Sequence, residues 1–77
     1  MNITELYRIS TVDPGWSYIG IYHDPDDHHD EVGIGSDHVA VLFTSKKVAK
    51  KELEMLKEYF PGEVKTYGLH VEKIWKI

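Results

Sequence analysis

The stretch from Lys46 to Phe60 contains no glycine, proline or threonine, and its apolar residues recur at the spacing of a helix. Ala49, Leu53, Leu56 and Phe60 follow one another at intervals of four, three and four, which stacks them along one side. Val48, Met55 and Tyr59 widen that stripe to the breadth of a helix lying on a sheet. Charged residues fill the other side, with Glu52 at the edge of the stripe. Thr44 or Ser45 is placed to cap the first turn, because a hydroxyl there can accept from a free backbone N–H. Pro61 cannot continue the ladder and Gly62 suits a turn, so the helix is expected to end at Phe60. A helix with one apolar stripe must bury it against something, and the residues on either side of it read as strand.

Residues 5–12 alternate loosely and are rich in strand formers, and Asp13-Pro14-Gly15 is a turn signal. Trp16 to His23 reads as the second arm of a hairpin, with Trp16, Tyr18 and Tyr22 on one face and Ser17, Ile19, Ile21 and His23 on the other. Residues 24–36 are polar and without evident period, and are expected to form a long loop. Residues 37–43 are nearly continuous apolar sequence and are expected to be a central strand. After the helix, residues 63–76 read as the last strand, with Tyr67, Leu69, Val71 and Trp75 on its apolar face and a bulge near Lys73. The expected order is β-β-β-α-β. It makes a two-layer α+β sandwich, a four-stranded, mostly antiparallel sheet with one helix on one face. Residues 1–77 form a single domain.

Charge is distributed unevenly. Residues 1–45 carry eight acidic groups against Arg8 alone, whereas residues 46–77 carry eight lysines against five glutamates. Four of those lysines, Lys46, Lys47, Lys50 and Lys51, crowd the start of the helix, where the dipole is already positive. They are the place where an anion would bind. With no cysteine there is no thiolate ligand, no thiol nucleophile and no disulfide. No apolar run reaches the length of a membrane span and no signal-peptide pattern opens the chain, so a cytoplasmic protein is expected.

The densest cluster of chemistry-bearing groups is His23-Asp24-Pro25-Asp26-Asp27-His28-His29-Asp30-Glu31. Oxygens and imidazoles this close together suit a divalent cation, but the spacing fits no known loop. Aligned to a calcium loop, Asp24, Asp26 and His28 take the first three ligand positions, while His29 replaces the glycine and Gly35 the bidentate glutamate. No metal and no cofactor is therefore assigned. His38 and His70 complete the five histidines and are expected on strands. Gly33-x-Gly35 leads into a strand, the reverse of the order that cradles phosphate. No residues pair as nucleophile and base, so an enzyme is not expected.

One helix roofs only one face of a four-stranded sheet, so either Trp16, Tyr18 and Tyr22 or Ile19 and Ile21 must face solvent or a partner. Trp16, Tyr18 and Tyr22 are taken as interface anchors, and Asp24, Asp26, Asp27, Asp30, Glu31 and Asp37 as an acidic rim. Carboxylates in rows can occupy a lysine- and arginine-rich groove that otherwise holds nucleic acid. In length, acidity and architecture, though in no motif, the chain resembles the small inhibitors that phages carry against host nucleases, including anti-CRISPR proteins. A protein partner with a basic surface is the leading expectation, with a homodimer as another. Nucleic-acid binding through Lys46, Lys47, Lys50 and Lys51 is the alternative, disfavoured by net charge −4 and a single arginine, and a structural oligomer is the third.

Overall fold

Four strands and two helices build the molecule, a computed structural model that describes residues 2–76. The strands are β1 (Glu5–Ser10), β2 (Trp16–Asp24), β3 (His29–Ser36) and β4 (His70–Lys76), and the helices are α1 (Lys46–Tyr59) and α2 (Pro61–Tyr67). The sheet order is β3-β2-β1-β4 and every pairing is antiparallel. The expected α+β architecture with a four-stranded sheet is therefore found. β4 does not pair with β3, so the helical segment carries the chain from one edge of the sheet to the other.

α1 forms where its pattern placed it. The Ser45 hydroxyl accepts from the Val48 N–H at 3.4 Å, and the Phe60 N–H closes the last turn on the Leu56 carbonyl. Ala49, Leu53 and Leu56 are buried in one cluster with Tyr7, Ile9, Tyr18 and Val32 of the sheet and with Leu69, just before β4. Val48 and Tyr59 remain exposed, so the buried stripe is narrower than its sequence pattern on that flank. Fully burying one such side chain contributes about 1.5–3 kcal/mol, which makes this seam the principal source of stability in a chain without disulfides.

Three expectations are corrected. Residues 24–36 are not a long loop: only Pro25–His28 turn, and His29–Ser36 is the edge strand β3. Its inward residues are Val32 and Ile34, and its alternation is masked because glycines stand between them. Those glycines have a packing reason. A β-carbon on Gly33 would run into the Tyr22 ring, and one on Gly35 would press on the Ile19 side chain at 3.0 Å. Glycine lets both cross-strand side chains lie flat over the neighbouring strand.

Residues 37–43 are not a regular central strand. Asp37–Val39 make a 3-10 turn, capped by the Ser36 hydroxyl, and Val41–Phe43 run extended. β1 and β2 pair only at Ser10 and Ser17, then part. The extended segment fills the opening: Tyr7 and Phe43 exchange two backbone hydrogen bonds of 2.8 Å, and the Val41 N–H donates to Tyr18 at 3.2 Å. Val39 and Leu42 stay exposed, so apolar content here marks a wedge and not a strand covered on both faces.

The last strand begins at His70, later than expected, because residues 61–67 form α2. Pro61 ends α1 and at once occupies the first turn of the next helix, where its missing N–H costs nothing. Gly68, at φ 63°, closes α2 in the left-handed conformation. The bulge near Lys73 is present: Tyr7 pairs with Lys73 and Leu6 with Trp75, leaving Ile74 as the extra residue.

The face away from the helices is polar at its centre. Arg8 bonds Glu72 at 2.6 Å and Asp37 at 3.3 Å, and Asp37 accepts from the buried Ser17 hydroxyl at 2.5 Å. This network ties the 3-10 turn to the sheet and satisfies the buried serines, so the uncovered face is polar at its centre and keeps exposed rings, Tyr22 and Trp75, only towards its ends.

Candidate functional site

The β2–β3 hairpin leaves the sheet as an arm, and Gly20 is where it bends. Gly20 has φ 126°, a conformation that residues with a β-carbon rarely adopt, and the β2–β3 register shifts between Tyr18 and Gly20. The shift breaks the alternation, so Tyr18 and Tyr22 fall on opposite faces. Tyr18 is 2% exposed and lies under α1, where its hydroxyl donates to the Glu52 carboxylate at 2.7 Å. Burial, reinforced by that bond, pushes its pKa up. Tyr18 is thus a core residue and not an interface anchor. Trp16, 52% exposed, and Tyr22, 54% exposed, do face solvent.

At the tip, the chain reverses through Pro25–His28. The Asp24 carbonyl accepts from the His28 N–H at 2.9 Å, and its carboxylate accepts from the Asp26 N–H at 2.9 Å and the Asp27 N–H at 3.4 Å. The bond from Asp26 holds the Asp24 carboxyl below its ordinary pKa. His28 sits at φ 56°, which histidine tolerates better than most residues. Asp24 is therefore part of the turn's own framework.

Asp26 and Asp27 project from the turn, and Asp30 and Glu31 from the strand that follows. Their basic neighbours on the arm are imidazoles: His23 meets Asp30 at 2.9 Å and His29 meets Glu31 at 3.7 Å. Among the described residues, no lysine or arginine lies within 4.0 Å of these four carboxylates. The lysine cluster is at the far end of α1, because Met55, Tyr59 and Phe60 at its C-terminal end are the ones facing His29 and Asp30. At 1.5 Å per residue, α1 alone separates Lys46 from Tyr59 by about 20 Å. The arm does not fold onto Lys46, Lys47, Lys50 and Lys51, all of which are exposed. The four lysines of the first turns of α1 and the carboxylates of the arm tip are therefore held apart.

Of the expected rim, Asp37 stands away from the arm, engaged by Arg8 and Ser17. Ile21, expected on the same face as Ile19, is turned by the bulge toward the helix side across from Val32, and Glu63 of α2, next to the arm, escaped the sequence reading. A proline followed by an acid in the first turn is a helix-start signal, and it was the one available sign of Glu63's placement. Among the described residues, no group of three His, Asp or Glu side chains is arranged to hold a metal ion, and no helix is long and apolar enough to cross a membrane. No protein-family model, curated protein or solved structure matches the chain.

Proposed function

We propose that the chain is a small, non-enzymatic, cytoplasmic binding protein that docks its acidic arm on a lysine- and arginine-rich surface of a partner protein. The observation that carries this reading is the set Asp26, Asp27, Asp30 and Glu31, displayed on a bent arm with no lysine or arginine beside it. Carboxylates presented this way steer a basic partner at long range and exclude acidic ones. A surface of that kind is typically one that holds nucleic acid, so the mode of action is occlusion, as in the small phage-type inhibitors that the chain resembles in size and charge. Tyr22, on the arm beside Glu31, supplies an exposed ring for the apolar part of such a contact.

The test is a capture experiment from the native host with the chain as bait. A captured partner should bind nucleic acid, and nucleic acid should displace it from the wild-type chain. Asp26→Asn, Asp27→Asn, Asp30→Asn and Glu31→Gln combined should abolish capture. Equal capture by that variant, or a partner that holds nucleic acid and the chain together, would refute the reading.

A further inference from the structure

Beneath the arm lies a cleft that the acidic tip alone does not account for. Two depressions share His29 and Asp30 as their common wall. One, of about 450 Å³, is floored by Ile21, Met55 and Phe60 and flanked by Tyr59. The other, of about 350 Å³, opens between Asp30 on the arm and Glu63 and Tyr67 on α2. An apolar floor therefore leads to a mouth with two carboxylates, Asp30 and Glu63, drawn from two separate elements; Glu31 lies on the other face of β3. Among the described residues, no lysine or arginine pairs with any of them.

We propose that this cleft receives an arginine side chain from the partner. The inference rests on the docking reading above and adds to it the residue recognised. A long cationic side chain needs both halves of what the cleft offers: apolar surface for the methylene stem and carboxylates for the head. Arginine suits it better than lysine, because a planar guanidinium bonds carboxylates in pairs and stacks on rings such as Tyr59 and Tyr67. An acidic or phosphorylated segment would be repelled by the two carboxylates. A bare divalent cation lacks a seat, since the acidic groups do not converge as a ligand set.

The probe is a short peptide alternating arginine and glycine, titrated into isotope-labelled protein and followed by amide and Met55 methyl shifts. Saturable shifts are expected at Ile21, Asp30, Met55, Phe60 and Glu63. The same peptide with lysine for arginine should bind several-fold more weakly, and with uncharged citrulline roughly ten-fold more weakly, a step of about 1.4 kcal/mol. Asp30→Asn with Glu63→Gln should weaken the arginine peptide at least as much while leaving the fold intact, since both side chains are exposed. Calcium alone should move none of these signals. Shifts confined to Asp26 and Asp27 with equal response to lysine and arginine would overturn the cleft but leave the acidic arm as a docking element. Shifts induced in the cleft by calcium alone would overturn it in favour of a metal site. Loss of host-partner capture by the arm variant without any peptide response in the cleft would likewise separate the two claims.

Discussion

Replacing Gly20 tests the geometry on which the arm depends. Its φ of 126° lies in a region closed to ordinary L residues, yet a β-carbon built there meets no atom within 4 Å. Gly20→Ala therefore changes backbone preference without adding a collision. Holding an L residue in so sparsely populated a conformation costs about 1–3 kcal/mol. For a domain of this size, each kcal/mol lowers the unfolding midpoint by roughly 4–8 °C, so circular dichroism should record a drop of about 5–20 °C. The decisive comparison is D-alanine at the same position, introduced by chemical ligation. Its mirrored preference admits φ 126°, so the D form is expected to melt well above the L form. If the L and D forms melt together, or the L form melts with the wild type, the bulge at Gly20 is not held by backbone conformation and the reasoning fails.

Further outcomes follow from the same structure. Neutralising Asp26, Asp27, Asp30 and Glu31 together should shift stability by no more than about 0.5 kcal/mol per site, since all four are exposed, and a large thermal destabilisation would make the arm structural. Tyr18→Phe should cost about 1–2 kcal/mol at neutral pH, because Glu52 loses its donor but keeps access to water. The raised pKa of Tyr18 also sets an alkaline limb. Its contribution is complete below the ordinary tyrosine value near 10, and is lost as pH rises from there toward the folded value, at about 1.4 kcal/mol per pH unit. Urea unfolding between pH 10 and 11 should therefore be steeper in pH for the wild type than for Tyr18→Phe, and equal slopes would contradict the assignment. Retention on heparin should be negligible at physiological salt despite the exposed lysines of α1. Clear, salt-sensitive retention would favour Lys46, Lys47, Lys50 and Lys51 as the working surface.

The helix, its Ser45 cap, its end at Phe60 and the bulge near Lys73 were all legible because each depends on neighbours in sequence. β3 was hidden because two of its outward positions are glycine, and glycine reads as loop unless Tyr22 and Ile19 are known to lie across them. α2 was hidden behind Pro61, which ends one helix and begins another with the same missing N–H. The wedge of Val41–Phe43 follows from the parting of β1 and β2, a tertiary event without a local signal. At the site, the acidic stretch 24–31 was visible as charge. Its division into turn framework at Asp24, anchored side chain at Asp37 and free carboxylates between them is a matter of hydrogen-bond partners, and no pattern in the chain specifies those. Tyr18 and Tyr22 looked equivalent under strict alternation, and one positive φ at Gly20 sends them to opposite faces.

The most direct test of the account is a backbone hydrogen-exchange footprint of the chain bound to its captured partner. Protection should appear along residues 21–31 and at the α1–α2 junction around Tyr59 to Glu63, with the first turns of α1 and the Arg8 face unchanged. Protection centred on Lys46 to Lys51, or on β4 around Trp75, with the arm still exchanging freely, would contradict it.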